Sequence, residues 1–305
     1  MSHKSFLPLF LAAAALLGVA GFGISKSSNP KIRVLIIDGQ NNHNWKDTTP
    51  FLKAQLEKTG KFEVSVATTP PRGGNAQAWE AFKPDFAACD VVLSNYNGPK
   101  WQPAGVREAF EKFLAGGGGL VNVHAANNAH KGWEEFEKAT GLLWRGNKDG
   151  ARVYLDEVGK VMRMDIGAGP GAGHGPQHEY LVRIRQPEHP ITKGIPPEWL
   201  HTRDELYHGQ RGPGENMRIL ATAFSAKEKR GTGVHEPMLW WIPVGKGKAV
   251  TNVLGHVGNL ERDPAMKCVG FLTLVARSCE WVATGKVTIA VPENFPTADQ
   301  ISQVK

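Results

Sequence analysis

Three histidines stand just past apolar runs: His43 after Ile32 to Ile37, His124 after Leu120 to Val123, and His256 after Ala249 to Leu254. In an open parallel sheet, ligands bind beyond the carboxyl ends of the strands. If these runs are parallel strands of one sheet, the three imidazoles converge on one edge. The segment DELYHG, Asp204 to Gly209, adds carboxylates. Extended alternation points Asp204, Leu206 and His208 one way and Glu205 and Tyr207 the other.

Two chemistries fit such a set. A divalent ion such as Zn or Mn accepts imidazole and carboxylate and keeps one position open in a catalytic site. On that reading His124 and His256 are candidate metal ligands, with His43 or Glu205 as the third. Without a metal, His124, Glu205 and His256 supply general acid–base catalysis. The chain has no HExxH and no close His-x-His pair to decide between the two.

Neighbouring residues extend the candidate pocket. Ala125 and Ala126 follow His124 and leave room for a substrate. Trp45 lies beside His43 in a polar loop, and an aromatic ring there can stack on the C–H face of a sugar. Asn127, like Asn41, Asn42 and Asn44, offers an amide to hydroxyls, although loops favour Asn for turns alone. His43, Trp45, Asn127, Tyr207 and His208 form the candidate substrate-binding set. His174 and His178 belong to or adjoin the glycine-rich loop Ile166 to Pro176, and a loop-lining role is as good a reading for them. His189 and His201 are read as making local hydrogen bonds. Gly116 to Gly119 precede a strand instead of opening a helix, so they make a poor phosphate cradle.

The elements that must position these residues alternate through the first half. Strands are expected at Ile32 to Ile37, Phe62 to Ala67, Asp90 to Ser94 and Leu120 to Val123. Helices are expected from Thr48 to Gly60, Ala76 to Phe82, Pro103 to Ala115 and Trp133 to Thr140. Strands separated by such helices predict a mostly parallel sheet covered on both faces. In the second half, Arg152 to Leu155, Glu179 to Ile184, Met217 to Phe224, Met238 to Pro243 and Ala249 to Leu254 read as strands joined by turns. They extend the sheet or form an antiparallel layer. A last helix is expected from Pro264 to Ala283, and the tail after Val291 is expected to be loosely ordered.

Bulk properties narrow the function classes. The 305 residues carry a formal charge of +7 with no concentrated basic face, which argues against a nucleic-acid partner. Lys4 and the uncharged apolar run Phe6 to Phe22 read as a cleaved secretory signal, residues 1–25, rather than a retained anchor. The expected product is periplasmic or extracellular, without stable membrane insertion. Cys268 and Cys279, eleven apart on the expected helix, are about 16 Å from each other, too far for a bridge. All three cysteines read as buried thiols.

The segments IIDGQNNHNW, GGGLVNVHAANNAH, EHPITKGIPPEW, DELYHG and GKGKAVTNVLGH occur in the order found in ThuA-like (trehalose utilisation) proteins, which this chain resembles from Lys31 to about Gly285. The resemblance implies one domain over 31–285, followed by a tail over 286–305. It implies a flavodoxin-like, class I glutamine amidotransferase-like fold, and a carbohydrate-directed role resting on His43, His124, Glu205, Tyr207 and His256. The substrate it suggests is a saccharide, a 3-keto-glycoside in particular. Relatives of that fold carry a Cys or Ser nucleophile on the turn after a central strand, where this chain reads Val123-His124-Ala125-Ala126. Acyl transfer needs a thiolate beside a base, so an amidotransferase-like hydrolase is disfavoured. The competing expectation is a non-catalytic carbohydrate-binding or scaffold module.

Overall fold

Five consecutive residues from Val34 are buried in β1 (Ile32–Asp38), the pattern of a strand covered on both faces. Its neighbours follow in βα order: α1 (Trp45–Lys58), β2 (Phe62–Thr68), α2 (Ala76–Glu80), β3 (Val91–Ser94), α3 (Ala104–Gly116), β4 (Gly119–Val123) and α4 (Glu134–Thr140). The computed structural model describes residues 1–3 and 30–305, so the apolar run of the expected signal lies outside the described residues. No helix among the described residues is long and apolar enough to cross a membrane.

The second half adds β5 (Arg152–Leu155), β6 (Val161–Met164), β7 (Gly173–His174), β8 (His178–Ile184), β9 (Glu198–Asp204) and β10 (Tyr207–His208). After them come β11 (Arg218–Phe224), β12 (His235–Val244), β13 (Gly247–Asn252) and α5 (Val269–Thr284). The main sheet runs β2-β1-β3-β4-β13-β12-β11-β8-β9. Its first five strands are mutually parallel, in the 2-1-3-4-5 order of flavodoxin-like winding. The rest are antiparallel, so the second-half strands extend the sheet instead of forming a separate layer. The last parallel strand, β13, is drawn from late in the chain and brings the segment carrying His256 beside the end of β4.

Alternation along the parallel strands splits the core. Val34, Ile36, Val121 and Val123 pack with Leu52 and Leu56 of α1 and with α5. Leu35, Ile37, Val92 and Leu120 face α3 and α4 through Phe110, Leu114 and Phe136. The glycines at the start of β4 serve this packing. Gly117 ends α3 at φ 124°, and a Cβ on Gly119 would collide with the Val282 side chain of α5.

Three expectations are corrected. Helix α1 opens at Trp45, three residues before Thr48, and contains Pro50; the bond that proline removes would have gone to Lys46, four residues earlier, which is exposed. The last helix begins at Val269 after a short 3₁₀ turn at Ala265–Lys267, so Cys268 precedes it and does not share it with Cys279. All three cysteines are free and buried. The tail is docked, not loose. Thr297 O accepts from Leu200 N of β9, Ser302 O accepts from Val269 N, and Val304 N donates to Lys267 O.

Candidate metal centre

His124 is the first residue after β4 and holds φ at 48°, in the left-handed region. A non-glycine residue there is uncommon and marks a backbone held by its surroundings. The strand passes here directly into a 3₁₀ turn, His124–Asn128. The Nδ1 of His124 lies 2.9 Å from the carbonyl oxygen of Val253. A carbonyl only accepts, so Nδ1 carries the proton and the lone pair is on Nε2, which faces inward and accepts from the Tyr207 hydroxyl.

His43 is fixed in the same way by a chain of amides. Thr48 and Thr49 of α1 accept from Asn95 Nδ2 at 3.0 Å each, and Asn95 O accepts from Asn41 Nδ2 at 3.1 Å. This orients Asn41 Oδ1 to accept from His43 Nδ1 at 3.2 Å. The Nε2 of His43 is left pointing inward, 3.1 Å from His256 Nδ1. Glu205 Oε2 lies 3.2 Å from His256 Nδ1 and 3.9 Å from His124 Nε2. One ligand atom from each of His43, His124, Glu205 and His256 lies within 4.8 Å of all the others. The three imidazole planes cross at 80–87°. Zinc–ligand bonds of about 2.0–2.2 Å put tetrahedral ligand atoms about 3.3–3.6 Å apart; His256 Nδ1 is already 3.1 and 3.2 Å from its two neighbours, and the other ligand atoms would draw in from as far as 4.8 Å.

The electrostatics favour neutral imidazoles on two of the three. Burial, reinforced by the neighbouring imidazoles, holds His43 far below the ordinary histidine range. Burial also lowers His124, against the opposing pull of Asp204. Burial acts on His256 too, but its bond to Glu205 prevails and raises it. Glu205 is lowered although burial opposes this, through His256, His124 and His174. Neutral His43 and His124 with an ionised Glu205 are the protonation states that metal ligation requires.

A cleft of about 270 Å³ opens onto this cluster, lined by Asn42, Asn97, Asn128, Trp144 and His174 among others. Tyr207 donates its hydroxyl to His124 Nε2 at 2.9 Å, and its ring packs against Trp144 with centroids 4.4 Å apart. His174 approaches from the glycine-rich loop, its Nε2 3.4 Å from Glu205 Oε1. That loop is not free: β7 within it pairs with β10, and the buried Arg211 guanidinium donates to Asp165 O, Ala168 O and Pro170 O.

The structure brings together His43, His124, Glu205, Tyr207 and His256, and separates the other candidates from them. Trp45 heads α1 and lines a neighbouring pocket with Gln40, Thr69 and Arg72. Asn127 is fully buried and donates to Gln210 Oε1, while the next residue, Asn128, lines the cleft. His208 follows Tyr207 with the opposite orientation and bonds Ser225 Oγ through Nδ1. His201 bonds Asp204, a local partner as expected. Sequence reasoning missed Asn97 and Asn128. Position after β3 could have flagged Asn97, and the 3₁₀ turn after His124, which sets which Asn faces the cleft, has no sequence signature.

A family described as ThuA, trehalose utilisation, matches residues 33–282 of the chain. The structure is similar to a ThuA-like protein from Parabacteroides merdae ATCC 43184, with 41% identity and a TM-score of 0.85, covering 90% of this chain and 98% of that one. It shares its fold with a ThuA-like protein from Bacteroides uniformis ATCC 8492, at 18% identity and a TM-score of 0.56, covering 88% of this chain and 98% of that one. No curated protein matches the chain.

Proposed function

The chain belongs to the ThuA, trehalose-utilisation family, and on that premise we propose a carbohydrate-active enzyme that processes a keto-glycoside at a divalent metal, Zn or Mn. His43, His124, Glu205 and His256 hold the ion. One observation carries this reading. His43 and His124 each commit the outer ring nitrogen to a fixed acceptor, so their inner nitrogens face His256 and Glu205, with one ligand atom from each of the four within 4.8 Å of the others. Outer hydrogen bonds of this kind fix the tautomer and orientation of metal-ligating histidines.

A divalent ion held by these residues would supply Lewis acidity to polarise a sugar carbonyl and acidify the C–H beside it. Around it the chain supplies the rest of the pocket. Tyr207 offers a buried hydroxyl that can turn from His124 to a substrate oxygen. Asn42, Asn97 and Asn128 present amides to hydroxyls, and Trp144 and Tyr207 form an aromatic wall for a sugar face. With Glu205 on the ion, His174, whose Nε2 lies 3.4 Å from Glu205 Oε1, is the group placed to move a proton at the cleft. Cys89 is no nucleophile here: burial pushes its thiol up to about 12, and it lies at the opening of β3, the end opposite the cleft. The composition of residues 1–25 supports export of this enzyme.

Elemental analysis of the purified protein beside His124→Ala tests the reading. Stoichiometric Zn or Mn lost in the variant, together with turnover of a 3-keto-glucoside by the metal-loaded native protein alone, is the expected result. A native protein that binds neither ion overturns it.

A further inference from the structure

Two of the four proposed ligands, Glu205 and His256, come from segments far apart in the chain, and a single carboxylate holds both. Asp204 is completely buried. Its Oδ1 accepts from Glu205 N at 2.7 Å and from His256 N at 3.1 Å, and its Oδ2 accepts from Gly255 N at 2.8 Å. The remaining lone-pair direction on Oδ2 takes His201 Nε2 at 2.8 Å. The carboxylate therefore accepts four hydrogen bonds, three of them from the backbone that carries the two ligands.

We infer that Asp204 is the positioning residue of the metal centre, setting the register between Glu205 and His256, with buried His201 as the donor that fixes its plane. The inference rests on the metal reading proposed above. Backbone amides cannot rotate to follow a wandering ligand, so tying both to one rigid acceptor fixes the separation of the side chains above them. β9 ends at Asp204 and β13 ends at Asn252, so neither sheet ladder reaches the ligands, and Asp204 joins the two strand exits in its place. His201 suits this role. Burial would depress it, but the charges of Cys268 and Asp204 and the bond to Asp204 carry it up to about 9, which keeps its Nε2 a donor. Metal-ligand supports of this kind are worth about 10–100-fold in metal affinity.

The test is a competition titration of the full chain with Co²⁺ alone, read by affinity and by the visible spectrum of the bound ion. Asp204→Asn replaces an acceptor oxygen with an N–H facing backbone N–H groups. It is expected to weaken Co²⁺ binding about 10–100-fold and to alter the spectrum. Phe62→Leu, a core change remote from the cleft, controls for lowered stability and is expected to keep both. Should Asp204→Asn fail to fold, His201→Leu, which removes the donor, weakens binding several-fold, and His201→Gln, which restores one, recovers it. Wild-type affinity and spectrum in Asp204→Asn, or equal affinity in His201→Leu and His201→Gln, overturn the positioning role alone. Failure of the wild-type chain to bind Co²⁺ overturns both this role and the metal reading.

Discussion

His43 Nε2 and His256 Nδ1 lie 3.1 Å apart across 213 residues of sequence. Two ring nitrogens this close repel unless a proton or a cation lies between them. The Nδ1 of His43 is committed to Asn41, so the pair either shares one proton or binds an ion together with His124 and Glu205. The parallel order β1-β3-β4-β13 makes the approach possible, because it places the exits of all four strands on one edge of the sheet.

The elbow at His124 gives a prediction that separates ligation from backbone strain. A left-handed non-glycine residue costs about 1–3 kcal/mol. His124→Ala and His124→Gly both delete the imidazole and its bonds to Val253 and Tyr207, but only glycine relieves the φ of 48°. The expected outcome of urea denaturation without metal is that His124→Gly is more stable than His124→Ala by about 1 kcal/mol. Both should fail to bind Zn. An Ala variant as stable as the Gly variant would show that the elbow is unstrained.

How much of this could be read from sequence depends on the distance over which each contact acts. The βα alternation up to β4 was legible because apolar periodicity is local, and His43, His124 and His256 were found by their places after strands. Glu205 and Tyr207 followed from alternation in DELYHG, and the same alternation argues against His208, which lies under Gly173 and bonds Ser225. The misplacement of Trp45 traces to α1 opening at residue 45, which turns the indole toward Thr69 and Arg72. Asp204 was visible only as the other face of a strand, since its partners Gly255 and His256 lie about 50 residues on.

Acid should destabilise the protein through His130. This residue is fully buried among Tyr96, Trp101, Trp133 and Phe136. Burial holds it at about 3, and neither ring nitrogen has a hydrogen-bond partner among the described residues. The folded state therefore binds its proton less tightly than the unfolded chain. The stability from a neutral His130 is fully present above about pH 6.5 and is lost as pH falls toward 3. Denaturation between pH 7 and 4 should show a shallower loss in His130→Asn, which also tolerates the positive φ of 58°. Parallel curves for the two proteins would refute this assignment.

Arg211 should govern the loop that carries His174. Its buried guanidinium bonds the carbonyls of Gly150, Asp165, Ala168 and Pro170. Arg211→Met fills the space but strands these acceptors, at a cost of about 2–4 kcal/mol. Hydrogen exchange read by mass spectrometry should show protection lost across residues 165–176 and kept in β1 and β4. Uniform loss through the sheet would mean that Arg211 supports the whole domain and not the loop.

The docked tail should contribute to stability through Phe295. Its ring is 8% exposed and meets Trp199 edge-on, with centroids 5.5 Å apart. Trp199 itself is fully buried in β9 and packs against His201, so the tail covers the strand that ends in Asp204. Removing a buried phenylalanine side chain costs about 3–5 kcal/mol; a site this near the surface collapses more readily, and about 2–3 kcal/mol is expected for Phe295→Ala. The urea midpoint should fall with little change in the slope of the transition, since the same domain unfolds. Co²⁺ affinity should fall by less than about threefold, because the bonds of Asp204 to Glu205, Gly255 and His256 do not involve the tail. A variant that keeps its midpoint would place the energetic weight of the tail in its backbone bonds to Leu200 and Val269 instead.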